Sequence, residues 1–144
     1  MSKIRYAFIA LFFISNTTNS NLTFENSWIR EAPLNSKKMS AYGTLKNDSM
    51  SSFKLIRIEA SGFKKIQMHQ SELNEETIMM KKIENLIIEA NSSIELSPGG
   101  KHIMLHSPVK YFNTGDSIEL FFFFESDYEE KVIRVNFPVK REGP

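Results

Sequence analysis

Lys101-His102-Ile103-Met104-Leu105-His106 alternates polar or sulfur-bearing side chains with aliphatic ones from His102 onward. Side chains two apart in a strand share a face, so the alternation predicts a strand with Ile103 and Leu105 turned to a core. His102, Met104 and His106 then stand side by side on the opposite face. Ile66-Gln67-Met68-His69-Gln70-Ser71 repeats the pattern, with Ile66 and Met68 on one side and Gln67, His69 and Ser71 on the other. His69 therefore also faces away from the apolar side. Met80 is ambiguous, because Ile78 shares its parity and Met79 does not.

Outward from these segments the chain reads as short strands separated by turn formers. The expected strands are Thr23–Trp28, Ser40–Lys46, Phe53–Ala60, Ile66–Ser71, Ile78–Lys82, Ser93–Leu96, His102–Ser107, Ser117–Phe124 and Lys131–Phe137. Between them lie Asn47-Asp48-Ser49, Ser97-Pro98-Gly99-Gly100, Asn113-Thr114-Gly115-Asp116 and Glu125-Ser126-Asp127, all rich in residues that favour turns. No segment sustains a helical period, and there are no repeats or low-complexity tracts. The expected fold is all-β, a single-domain β-sandwich or Greek-key barrel. Phe121-Phe122-Phe123-Phe124 is the strongest core signal, since a strand carries aromatics on both faces only where both are covered. Trp28, Tyr42, Phe53, Leu55, Ile58, Val132, Ile133 and Val135 are its expected packing companions.

The first 20 residues have the form of a secretory signal peptide. Lys3 and Arg5 precede an apolar run from Tyr6 to Ile14, and Ser15–Ser20 is small and polar, with Thr18 and Ser20 at the positions expected before cleavage. The run is far shorter than the roughly 20 residues of a membrane span, and no later stretch is long enough. An uncleaved N-terminal anchor is the alternative. Residues 21–144 then form one domain of ordinary size. Without residues 1–20 the chain has 16 basic and 17 acidic residues, a net charge of −1. No basic field is available to attract nucleic acid. The sequence contains no cysteine, which excludes a lipid anchor on that residue and also a blue-copper site, built on a thiolate. Exported thiols are prone to disulfide formation, whereas thioethers avoid it.

His69, ten residues, Met80, twenty-one residues, His102, one residue, Met104 is a candidate soft-metal ligand set. Thioether sulfur is soft and neutral and favours Cu(I), while imidazole accepts copper in either oxidation state, so that Cu(I) is the first choice and binding of Cu(II) is left open. Taken singly, a strand methionine is more often core filler than a ligand. The joint spacing resembles the periplasmic copper chaperones of the PCuAC family, whose signature has these residue types at these intervals. Trp28-Ile29-Arg30-Glu31-Ala32-Pro33, Ala41-Tyr42-Gly43-Thr44-Leu45 and Leu96-Ser97-Pro98-Gly99-Gly100-Lys101-His102 are also similar to family segments, so the resemblance runs over roughly residues 24–139.

The resemblance implies a cupredoxin-like β-sandwich that is not an enzyme. It implies copper delivery in the bacterial periplasm, toward the copper centre of cytochrome c oxidase or its assembly factors. Some family members carry a His- and Met-rich tail; Val139-Lys140-Arg141-Glu142-Gly143-Pro144 has neither residue. An exposed site is expected, because cargo must be passed on. His106 is an additional candidate ligand by strand parity. Two readings compete with the copper site: a zinc-dependent enzyme using His69, Glu72 and His102, since two histidines and a carboxylate can hold catalytic zinc, and a metal-free secreted binding module. Glu72, Glu75, Glu76 and Glu84 with Lys81 and Lys82 read as a solvated charged stretch.

Overall fold

The computed structural model describes residues 22–143, and the expected signal peptide at 1–20 lies outside them. Ten strands follow one another without an intervening helix among the described residues: β1 (Leu22–Arg30), β2 (Lys38–Asn47), β3 (Phe53–Glu59), β4 (Phe63–Asn74), β5 (Thr77–Lys82), β6 (Ile87–Ile88), β7 (Ser92–Leu96), β8 (Lys101–Pro108), β9 (Ser117–Glu125) and β10 (Glu130–Lys140). All nine expected strands are present. The tenth, β6, has only two residues, too few to show an alternation.

The strands form one folded sheet in the order β5-β4-β8-β2-β1-β10-β9-β3-β6, with β7 also paired to β2. The fold line is the junction of β1 and β10, which pair in parallel only through Ile29↔Val139 and Arg30↔Lys140. β7 and β8 lie end to end along the same edge of β2, antiparallel to it, as Gly43↔Leu96 through Asn47↔Ser92 and as Lys38↔His106 through Ala41↔Ile103. The Ser97–Gly100 turn loops out between them.

The two layers meet in one apolar core. Met39, Ala41, Met68, Ile103 and Leu105 enter it from the β2, β4 and β8 side, and Phe53, Leu120, Phe122, Phe124 and Phe137 from the other. Phe121 to Phe124 splits by parity: Phe122 and Phe124 are buried, whereas Phe121 and Phe123 are half-exposed on the outer face. The Arg57 guanidinium covers Phe123 at 3.6 Å from its ring centroid. Of the expected companions, Phe53, Leu55 and Ile58 are core and Ile133 and Val135 pack at its margin. Val132 does not: it stands 53% exposed on the outward face of β10.

Trp28 and Tyr42 are buried, yet neither belongs to the central core. Tyr42 alternates with the inward Met39, Ala41 and Leu45 of β2, and Trp28 is turned by a bulge in β1. Glu25 pairs with Thr44 and Trp28 with Tyr42, so β1 holds one residue more than β2 across this interval, and Asn26 takes φ 51°. An extra residue inverts the alternation beyond it. Leu22 and Phe24 face inward before the bulge, Ile29 after it, and Trp28 is turned to the opposite face.

Gly43 lies against this bulge with φ +147°, and a Cβ there would stand 2.7 Å from Phe24 Cε1 and 2.9 Å from the Glu25 carbonyl oxygen. Gly43→Ala combines a disfavoured backbone angle with a clash that backbone atoms cannot relieve. It is expected to cost about 3 kcal/mol, measured by chemical denaturation, with Gly99→Ala, where an added Cβ meets nothing within 4 Å, as the milder control. Asn47, fully buried, anchors the next turn: its amide nitrogen donates to the Ser51 and Glu89 carbonyls at 2.7 and 2.9 Å, and its oxygen accepts from the Ser49 hydroxyl at 2.6 Å.

Candidate metal centre

β8 supplies three of the residues at the site, and its neighbours supply the rest. β4 pairs with β8 as Lys65↔His106, Gln67↔Met104 and His69↔His102, so His69 lies directly opposite His102. On the other side, Lys38 is opposite His106 and Ser40 opposite Met104. Residues paired across a ladder share a face. His69, His102, Met104 and His106 therefore occupy one face of the sheet, reverse to Ile103, Leu105 and Met68. Met80 pairs with Ser71 on β5, two residues beyond His69, which resolves its ambiguous parity: it shares the face of His69, diagonal to it.

Exposure differs sharply across these side chains. His102 and Met104 are 3% and 5% exposed, His69 and His106 are half-buried, and Met80 is 56% exposed on the edge strand. The expected open site is instead graded. His102 is covered by its neighbours: the Tyr42 ring lies 6.4 Å away and the His69 ring 5.8 Å. Trp28 packs on Tyr42 at 4.8 Å, and Arg30 spans both rings at 5.5 and 5.6 Å. Gly143 closes over Trp28, where an added Cβ would sit 3.0 Å from the indole.

The hydrogen bonds leave nitrogen lone pairs bare. His102 Nδ1 lies 3.1 Å from the Gly100 carbonyl oxygen. A carbonyl only accepts, so Nδ1 carries the proton and Nε2 presents its lone pair. His69 Nε2 lies 3.4 Å from the Gln67 side-chain oxygen, leaving Nδ1 as the free nitrogen in the same way. His69 Nδ1, His102 Nε2 and His106 Nε2 are all buried without a hydrogen-bond partner. Buried polar atoms are rarely left so. His69 is paired with His102 on one side and with His106 on the other, and either pair with the buried Met104 thioether offers nitrogen and sulfur donors of the kind a soft metal ion takes.

The Ser97–Gly100 turn helps to set this geometry. Gly100 closes it by donating its N–H to the Ser97 carbonyl, and the Gly100 carbonyl accepts from Ser71 N–H at 3.1 Å as well as facing His102. A backbone acceptor that fixes the tautomer of a histidine is a recurrent feature of metal sites. The sequence marked this stretch as a turn but could not show that it reaches back to the imidazole.

Glu72 does not join the site. It is three residues from His69 within a continuous strand and so faces the other way, where Lys81 holds it at 3.0 Å. Among the described residues, no group of three or more His, Cys, Asp or Glu side chains is gathered closely enough to hold a metal ion. The His69, Glu72, His102 zinc arrangement is thereby not formed. Glu75 and Glu76 are exposed at and beside the β4–β5 turn, and Glu84 pairs with Lys82 at 2.6 Å.

Burial holds the His69 imidazole below its usual range, reinforced by His102, His106, Lys38 and Lys65. Burial, then Lys38 and Lys65, lowers His106 likewise. Both rings thus stay neutral to lower pH than a free histidine, whose pKa is about 6.5. Folded pKa values below the unfolded one mean that the unfolded chain takes up more protons. Stability from these groups is therefore present above about pH 6.5 and is lost as pH falls from there through the lower folded values. The apo protein's melting temperature is expected to drop between pH 7.5 and 5, with a shallower drop in His69→Gln/His106→Gln, measured by thermal unfolding at each pH.

The strand order, the parallel closure of β1 on β10 and the histidine–methionine face define a cupredoxin-like β-sandwich of the PCuAC-domain type. Solved structures of PCuAC domains share this fold. The apo PCuAC domain from PmoF1 superposes with a TM-score of 0.63 at 23% identity, over 83% of this chain and 94% of that one. The copper-bound PCuAC domain from PmoF2 gives 0.65 at 19%, over 83% and 93%. CuI-DR1885 from Deinococcus radiodurans gives 0.66 at 20%, over 85% and 81%. The sequence profile of lipoprotein LpqE-like proteins matches residues 22–139, and the chain belongs to this LpqE-like family. A relative in Rickettsia prowazekii (strain Madrid E), protein RP573, is 32% identical over 105 residues, 72% of this chain. The match spans 56% of RP573, which is the longer protein.

Proposed function

We propose that this chain carries Cu(I) outside the cytoplasm, holding it with His69, Met80, His102 and Met104 and passing it to an acceptor protein. The observation that carries this reading is the set of buried, unpartnered imidazole nitrogens on one sheet face beside Met104. Family membership, the shared fold and the copper bound in the PmoF2 and DR1885 structures support it. Nothing in the role requires bonds to be made or broken in a substrate other than those to the ion.

The graded exposure gives a route for release. His102, Met104 and His69 are the retaining groups on two inner strands, and Met80 is the accessible one on the edge. An acceptor thiolate, thioether or imidazole replaces Met80 first, because that sulfur can leave without opening the sheet. The remaining ligands then exchange one at a time, so the ion is never bare. Neutral ligands suit this handover, since they leave the ion's charge uncompensated and available to an acceptor with thiolates. The acceptor we favour is the copper centre of cytochrome c oxidase or its assembly factors, in the periplasm after removal of residues 1–20.

Anaerobic competition of the protein with a Cu(I) chelator tests this. One Cu(I) per chain is expected, with Met80→Ala releasing it to the chelator at least about tenfold faster. No copper retained by the unaltered protein contradicts the reading. Gln in place of Glu72 is expected to leave copper retention unchanged, since that carboxylate faces away.

A further inference from the structure

The four-residue set leaves His106 unexplained, although its imidazole is arranged like the others. Its Nε2 is buried without a partner. Its ring centroid lies 6.0 Å from that of His69, almost the same as the 5.8 Å between His69 and His102. Two imidazoles that share an ion through metal–nitrogen bonds of about 2.0 Å have centroids roughly 5–6 Å apart. His69 is thus within sharing distance of a ring on either side. Met104 lies between His102 and His106 on the same face of β8.

We propose that His106 is a further copper ligand, sharing Cu(I) with His69 and Met104 in a second position that overlaps the first. The inference rests on the copper-carrying reading and extends it. An ion held by His69 and Met104 exchanges His102 for His106 by a short displacement along β8, keeping two ligands throughout. The second position sits on inner strands and does not use Met80. It therefore retains the ion while Met80 is engaged by an acceptor or is oxidised to the sulfoxide, a fate open to exposed thioethers.

The surroundings of His106 select the ion's charge. Lys38 and Lys65 are its cross-strand partners on the two sides. Their ammonium groups repel a metal cation, and the repulsion of a divalent ion is twice that of a monovalent one at the same place. The second position is accordingly one for Cu(I) and weaker than the first.

Two measurements on the full chain test the proposal, with Cu(I) alone as the probe under anaerobic conditions. In the first, the imidazole 15N resonances are followed through a Cu(I) titration of the unaltered protein and of Met80→Ala. His106 Nε2 is expected to shift with the added ion, more in Met80→Ala. In the second, chelator competition compares His102→Gln with His102→Gln/His106→Gln, and Met80→Ala with Met80→Ala/His106→Gln where loss of His102 prevents folding. The second substitution is expected to lower affinity by at least about tenfold in either background. An unmoved His106 resonance together with equal affinities in each pair overturns the proposal and leaves the four-residue site standing. Absence of Cu(I) binding by the unaltered protein overturns both.

Discussion

Met104→Leu is expected to lower Cu(I) affinity at least about 100-fold, equivalent to about 2.8 kcal/mol, while changing stability by less than about 1.5 kcal/mol. Met104 is 5% exposed, so truncation to alanine would confuse two effects. A cavity would be left, worth about 2–5 kcal/mol in itself. Leucine nearly conserves the volume and apolar character and removes only the sulfur. If Met104 merely packs, copper retention survives the change to leucine. If it is a ligand, retention is lost from a protein that still folds. Chelator competition and denaturant unfolding on the same variant separate these outcomes.

Phe122→Ala is expected to destabilise the domain by about 3–5 kcal/mol, a large part of the 5–15 kcal/mol typical of a whole domain. Phe122 is 1% exposed and stacks on Phe24 at 5.1 Å, with Phe137 at 6.1 Å and Phe124 at 6.4 Å. These rings come from β1, β9 and β10, on either side of the fold line. Removing the central ring opens a void between the layers that rigid neighbouring rings fill poorly. The melting temperature should fall by roughly 10–20 °C. Phe121→Ala, one residue away on the outer face, should cost about 1 kcal/mol. Equal losses at the two positions would contradict the assignment of faces.

Much of this architecture is legible in the sequence because strands have a period of two. The alternation around Ile103 and Leu105 identifies the core face and puts His102, Met104 and His106 on the reverse without any structure in hand. Where the period is broken, the reading fails for definite reasons. Trp28 and Tyr42 are large and apolar and so resemble core residues, but the bulge at Asn26 turns Trp28 over, and nothing short of the β1–β2 register reveals it. Val132 adjoins Ile133 in the chain but has the opposite parity to Ile133, Val135 and Phe137, and so stands on the outer face of β10.

The site is legible in its composition and less so in its depth. Parity gives the face of His69, but not that Tyr42 and the His69 imidazole close over His102. A face turned from the core is buried here because aromatic rings cover it. Glu72 is a plausible zinc ligand only if the strand ends at Ser71. Once β4 runs to Asn74, its odd offset from His69 sends it to the other side. Met80 needed the pairing with Ser71, since the short run Ile78-Met79-Met80 is apolar throughout and carries no period.

X-ray absorption at the copper edge of the Cu(I)-loaded protein tests the central claim most directly. The account predicts a single copper with sulfur and nitrogen neighbours together, from thioethers and imidazoles, and loss of sulfur scattering in Met80→Ala/Met104→Leu. A shell of nitrogen and oxygen alone, unchanged by that pair of substitutions, would contradict it.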